Sequence, residues 1–273
     1  MKISATSALV LNWTENKLWQ SAEALAYDAR LDLSEGKPLL NLFSEHENFM
    51  HTQIVSSRKF FVRNKVIAFL NDLQRQNKQG QVLILAAGLA PLSLEIAALF
   101  PTNRIFDVDK YHMPEKEKLV DGMPANISFI ECDITDVSKL NELLQKEGFR
   151  PDEPTIAVLE GITYYLTDAA LRGILLYLSG NKTVVVGEFG LKPELVNEKT
   201  RFHQEDVFSK IKQQVKLDFI TYYSDEEIKG LLESAGYKSI EFTNFQLIQA
   251  ERTGNEFPFS SPNSSWIKAI YAE

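Results

Sequence analysis

The sequence predicts a doubly wound α/β fold on a mostly parallel seven-stranded sheet, with a helical N-terminal extension and a helical lid. Three observations carry this. Five short apolar runs recur between residues 81 and 188, each ending in a small or acidic residue. Amphipathic stretches long enough for helices separate them, which is the pattern of β-α-β units with right-handed crossovers. The length, 273 residues without a Pro/Gly/Ser linker or an internal repeat, suits one large domain.

Residues 1–78 form the helical extension. Glu15 to Leu33 carries apolar residues at helical spacing (Leu18, Trp19, Ala22, Leu25, Ala26, Ala29), and Phe60 to Leu73 repeats the pattern with Phe61, Val62, Val66, Phe69, Leu70 and Leu73. Residues 79–190 form the β-α core. Its strands are Gln81–Ala87, Arg104–Val108, Ile127–Glu131, Thr155–Leu159 and Lys182–Val186, read as buried parallel strands from their apolar character. Its helices are Pro91–Leu99, Glu115–Val120, Val137–Lys146 and Asp168–Leu178, the last with Thr167 as N-cap. Residues 191–223 form the lid, with Lys192 to Lys216 helix-prone. Residues 224–273 close the sheet. There Ser224 and Glu227 form a capping box, Gly236 ends the helix, and Tyr237–Gln249 and Ser265–Tyr271 read as β-rich around a Pro258–Ser265 loop.

Composition narrows the function. There are 29 Lys+Arg against 37 Asp+Glu, a net charge of −8, with 44% hydrophobic residues. That apolar content excludes a disordered chain, and the acidic balance argues against a nucleic-acid partner, which needs a clustered basic surface. The run Ala8-Leu9-Val10-Leu11 is too short for a signal-peptide core, and no stretch approaches the roughly 20 apolar residues that span a bilayer. The lone Cys132 forms no intrachain disulfide and reads as an inert buried thiol; a cytoplasmic location and no membrane partner are expected.

In an open α/β sheet, ligands bind beyond the carboxyl ends of the strands. Ala86-Ala87-Gly88 ends the first strand, where a small-residue turn either admits a ligand to the backbone or simply links strand to helix. Asp109 ends the second strand 21 residues after Gly88, at the place of an acid on a ribose diol or of a helix cap, with Asp107 as its competitor. Cys132-Asp133-Ile134 ends the third. Asp133 and Ile134 suit an adenine, one as acceptor and one as flat contact, unless Asp133 or Asp136 caps the following helix. Glu160, after a buried apolar strand and before Tyr164 and Tyr165, either faces a pocket or pairs with a buried base.

These residues resemble a class I S-adenosylmethionine-dependent methyltransferase of the leucine carboxyl methyltransferase family, from about Ser57 to Glu188. Arg58-Lys59-Phe60-Phe61-Val62-Arg63 resembles the family's Arg-Gly-Tyr-aromatic-x-Arg. Gln81 to Leu89 resembles its Gln-Val-Val-x-Leu-Gly-x-Gly-hydrophobic, Phe106-Asp107-Val108-Asp109 its aromatic-Glu-Val-Asp, and Glu160-Gly161 with Tyr165-Leu166 its Glu-Gly-x-x-x-Tyr-Leu. The chain departs at Ala86, in place of the first loop glycine, and at Ala90-Pro91-Leu92, in place of Asp-Thr-Arg.

The resemblance implies S-adenosylmethionine as cofactor. Arg63 would hold its methionine carboxylate, and Ala86, Ala87 and Gly88 would pass beneath it. Asp109 would take the ribose, Asp133 and Ile134 the adenine, and Glu160 the amino group. Tyr165 would lie near the methyl-transfer site, with His203 of the lid as the candidate base among four histidines otherwise read as surface or loop residues. The expected activity is O-methylation of a carboxylate or hydroxyl on a small-molecule substrate. The alternatives are a protein C-terminal carboxylate as acceptor, or a methyltransferase-like binding or scaffold protein without catalysis. No metal is expected, since no His/Cys/Asp set has ligand spacing. A nicotinamide oxidoreductase is disfavoured, because the Gly-x-Gly-x-x-Gly positions hold one glycine of three.

Overall fold

The computed structural model describes residues 5–120, 122, 126–215 and 219–273, less the side chains of residues 16, 199, 202, 203 and 213–215. In chain order the elements are α1 (Ala5–Asn12), α2 (Ala22–Asp28), α3 (Lys37–Leu40), α4 (Glu45–Arg75), β1 (Gln81–Leu85), α5 (Leu92–Leu99), β2 (Arg104–Asp109), α6 (Met113–Leu119) and β3 (Ile127–Glu131). There follow α7 (Val137–Lys146), β4 (Thr155–Leu159), α8 (Asp168–Gly180), β5 (Val184–Gly190), α9 (Glu198–Val215), α10 (Asp225–Ala235), β6 (Ile240–Thr243), α11 (Phe245–Thr253) and β7 (Ile267–Ala272).

The seven strands form one sheet in the order β3-β2-β1-β4-β5-β7-β6, with β7 antiparallel to both neighbours. This is the expected class I methyltransferase architecture. The chain builds from β1 toward β3, returns to β4 on the other side of β1, and continues outward to β5. Right-handed crossovers therefore place α5 on one face and α8 on the other. The long helix α4 packs with α5 and α11, and α8 packs with α7 and α10. Every residue of β1 and β4 is buried, which explains their unbroken apolar character.

Local signals account for most boundaries. Thr167 caps α8 by accepting from Ala170 N, Ser224 and Glu227 form the expected capping box of α10, and Gly236 ends α10 with φ 109°.

Two expectations are corrected. Glu15–Leu33 is not one helix: it contains a single 3-10 turn, Asn16–Leu18, and then α2. The break has a tertiary cause. The backbone N–H groups of Gln20 and Ser21 donate to the Glu95 carboxylate, at 3.1 and 2.8 Å, and Ser21 then caps α2. Likewise Tyr237–Gln249 is strand only over β6, because Asn244 accepts from Leu247 N at 3.0 Å and starts α11. Phe60–Leu73 proves to be the second half of a 31-residue helix whose start is a Ser44–Glu47 capping box.

Candidate active site

The topological switch point lies between β1 and β4, which pair in register from Gln81 with Thr155 to Leu85 with Leu159. The chain leaves their carboxyl ends in opposite directions and opens a cavity of about 340 Å³. The loop 86–90 and Asp109 line one side, and Glu160 to Ile162 with Tyr164 and Tyr165 the other. Arg58 and Lys59 of α4 flank it, and Thr6, Val10 and Leu11 of α1 together with Ile211 of α9 cover it. Helix α1 is anchored there because Ala8 and Leu11 bury against Leu89.

The loop after β1 is left-handed at two residues, Ala86 with φ 58° and Gly88 with φ 52°. A Cβ at Gly88 would meet no atom within 4 Å, so backbone conformation rather than crowding calls for glycine there, and the space above the loop is open. Ala86 holds the same conformation with a side chain, at a cost of about 1 kcal/mol. The loop therefore keeps its shape without its first glycine.

Lys116 supports the loop from below. Fully buried, it donates to Ala90 O at 2.8 Å and Gly88 O at 3.3 Å, and pairs with Asp107 at 2.7 Å. Asp107 also accepts from Ser93 Oγ at 2.5 Å, so this acid is committed to the scaffold. Asp109 is placed differently. Its Oδ2 accepts from Gly88 N at 2.8 Å and its Oδ1 from Tyr111 N at 3.0 Å. A carboxylate has about four lone-pair sites, so acceptor capacity remains for a ligand.

Across the cavity, Glu160 Oε1 gathers Lys59 Nζ at 2.8 Å, Arg58 Nη2 at 3.1 Å and Arg58 Nε at 3.2 Å. Burial alone would raise the Glu160 carboxyl, but Lys59 and then Arg58 outweigh it, and the group is held below the usual carboxylate range. Behind it, Glu188 accepts from Gly161 N at 2.5 Å and lies 3.8 Å from Arg58 Nη1. Burial pushes Glu188 up to about 7; Arg58 opposes the shift and Glu160 adds to it. Arg58 Nη1 also donates to the Tyr164 hydroxyl at 3.1 Å. Both readings of Glu160 thus hold at once: it pairs with buried bases and it lines the cavity.

The cavity brings together Ala86, Ala87, Gly88, Asp109, Glu160 and Tyr165. Burial pushes the Tyr165 hydroxyl up to about 12, so it stays protonated at neutral pH. Arg63, Asp133 and Ile134 are not on its wall. Arg63 gives Nε and Nη2 to Glu95 Oε1, at 2.9 and 2.5 Å, in a buried pair. Asp133 lies beyond β3, pairs with Lys110 at 2.8 Å, and is pulled down to about 2 by Lys110 and Thr135. Asp136, its neighbour, caps α7 by accepting from Lys139 N. His203 lies in α9, and its side chain is outside the described residues.

His51 is not on the surface. It is buried in α4 and packs against Trp13, with ring centroids 4.6 Å apart and the ring planes tilted by 44°. Phe208 is core, against Tyr164 and Trp266. Cys132 is buried, and burial raises its thiol. Among the described residues no three His, Cys, Asp or Glu side chains gather as a metal site, and no helix is long and apolar enough to cross a membrane.

Sequence reasoning assigned no role to Arg58, Lys59, Lys116 or Glu188. For Lys59 a signal was present: it occupies the stripe Val55, Lys59, Val62, Val66, where helical spacing buries every other member. A cation in such a stripe demands a buried partner.

The sheet order and the cavity at its switch point define the fold of class I methyltransferases. The sequence model of the leucine carboxyl methyltransferase family matches residues 17–178, and the chain belongs to that family; it is a methyltransferase of the S-adenosylmethionine-dependent class. A putative methyltransferase from Thermobifida fusca YX superposes with a TM-score of 0.67 at 14% identity, covering 94% of this chain and 95% of that one. A DUF574 family protein from Streptomyces avermitilis MA-4680 gives 0.63 at 11% identity, covering 93% and 97%. At these identities the likeness is one of fold. A search of curated proteins found no match.

Proposed function

We propose that the protein transfers a methyl group from S-adenosylmethionine to an oxygen of a small molecule, with a carboxylate as the favoured acceptor. The observation that carries this reading is that Asp109, Glu160, Arg58 and Lys59 line one cavity at the switch point of the sheet. The donor set fits the cofactor. Asp109 has spare acceptor capacity for a ribose diol, the open space over Gly88 admits a close approach of ligand to backbone, and the polar end offers both cations and an anion. Asp133 and Ile134, beyond the next strand, would take the adenine.

When bound, S-adenosylmethionine would supply a methyl group on a sulfonium, an electrophile for an acceptor oxygen, with the carbon–sulfur electron pair left on the sulfur. The protein's part is alignment and exclusion of water. Helix α1 and Ile211 cover the cavity, and Tyr165 presents a protonated hydroxyl that can donate but not abstract. A hydroxyl acceptor needs a base within hydrogen-bond reach, whereas a carboxylate is already ionised at neutral pH. Each carboxylate among the described wall residues has another task in this reading: Asp107 pairs with buried Lys116, Asp109 would hold the ribose, and Glu160 is tied to two cations, which leaves each a poor base. That favours an acceptor that brings its own charge.

The experiment is a screen of metabolite extracts with methyl-labelled S-adenosylmethionine. A small-molecule product whose label is released as methanol by mild alkali supports a carboxyl ester. An alkali-stable small-molecule product supports an ether, and label on protein would redirect the reading to a protein acceptor. Cofactor binding without any labelled product would favour a binding protein.

A further inference from the structure

We propose that Lys59, with Arg58, forms the subsite for the carboxylate of the cofactor's amino-acid end, and that Arg63 has left that task to hold Glu95. The inference rests on the cofactor reading above and adds which residues grip one end of the ligand.

Four observations support it. First, Lys59 is 3% exposed yet lines the cavity, and its Nζ makes one bond among the described residues, to Glu160 Oε1. An ammonium carries three donors, and a buried one with two unused is costly unless a ligand takes them. Second, all three contacts to Glu160 fall on Oε1, and Oε2 takes none among the described residues. The cavity therefore presents an unfilled carboxylate oxygen beside an unfilled ammonium, a complement to a zwitterion. Third, Arg58 and Lys59 both line the cavity beside Glu160, whereas Glu188, 3.8 Å from Arg58 Nη1, is not on the wall, so the cations are the wall groups that a ligand carboxylate would meet. Fourth, Arg63 is engaged elsewhere. Glu95 is completely buried, takes two of the three side-chain hydrogen bonds of Arg63 (the third goes to Asn64 Oδ1), and also ties down Gln20 and Ser21. Drawing Arg63 into the cavity would strand a buried anion. The exchange is visible in sequence, since Lys59 stands where the resembling element carries glycine.

The test is calorimetry with three ligands: S-adenosylhomocysteine, its decarboxylated analogue and its deaminated analogue. In the wild-type protein, removing the carboxylate should weaken binding at least about ten-fold and more than removing the amino group does. Lys59→Met should shrink the decarboxylation penalty to within about three-fold. Arg63→Lys should leave that penalty intact. As a check on folding, 5′-methylthioadenosine, which lacks the amino-acid end, should bind Lys59→Met and wild type equally.

An unchanged penalty in Lys59→Met, a penalty abolished in Arg63→Lys, or a larger cost for deamination in wild type would each overturn the proposal. Where Lys59→Met does not fold, Lys59→Gln serves as the second variant, with the same reduced decarboxylation penalty expected and an unchanged penalty overturning the proposal. If wild-type protein binds S-adenosylhomocysteine but fails these contrasts, only the subsite is wrong. If it binds none of the ligands, the cofactor reading falls with it.

Discussion

Asp109 Oδ2 accepts the backbone N–H of Gly88 at 2.8 Å, tying the end of β2 to the loop after β1. In the function proposed above the same carboxylate would hold the ribose, which would couple loop shape to ligand binding. Asp109→Asn keeps the size but turns one acceptor into a donor. We expect S-adenosylhomocysteine affinity to fall about 10- to 100-fold, the range for losing one or two hydrogen bonds to a charged group. Titration calorimetry reads this directly, and unchanged affinity would place the ribose elsewhere.

Ala86→Gly gives a prediction whose sign is diagnostic. Alanine to glycine in ordinary structure destabilises by about 0.5–1 kcal/mol. At φ 58° the left-handed strain of alanine is relieved, and the substitution should be neutral or stabilising by up to about 1 kcal/mol. Urea denaturation measures it; a loss of about 1 kcal/mol or more would show that Ala86 is not strained.

Glu95 links α5 to Arg63 and to the chain entering α2. Glu95→Ala strands a buried guanidinium and two backbone donors, and should cost about 3–5 kcal/mol, much of the stability of an ordinary domain. Burial raises the Glu95 carboxyl, but its hydrogen bonds from Ser21 and Arg63 outweigh it and hold the group low. Its contribution is therefore present at neutral pH and lost on acidification. Equal denaturation midpoints for wild type and variant would contradict this account.

Glu188 runs the opposite way. Its carboxyl is raised from 4.5 to about 7, so the folded protein holds that proton more tightly than the unfolded chain. The contribution is fully present below about pH 4.5 and lost as pH rises to about 7, amounting to about 3 kcal/mol across the window. Glu188→Gln keeps an acceptor for Gly161 N and removes the titration. Its stability should fall less than wild type's between pH 5 and 8, followed by urea midpoints; parallel profiles would refute the shift.

The five parallel strands and the acids near their ends were legible in sequence because parallel strands are apolar runs and switch-point loops are short. The 21-residue spacing picked out Gly88 and Asp109, but the hydrogen bond between them is seen only in the structure. The N-terminal extension was less legible. Leu18, Trp19 and Leu25 have helical spacing, but Glu95, far along the chain, draws the backbone of Gln20 and Ser21 out of the helix. The task of Lys59 was hidden for a related reason. Its partner Glu160 lies 101 residues away, and periodicity alone reports that a position is buried, not what meets it.

The central claim is that the cavity between β1 and β4 binds S-adenosylmethionine. Titration of the purified protein with S-adenosylhomocysteine tests it most directly. We predict one saturable site per chain, weakened by Asp109→Asn. No binding at about 1 mM ligand, a free energy weaker than about 4 kcal/mol, would contradict it.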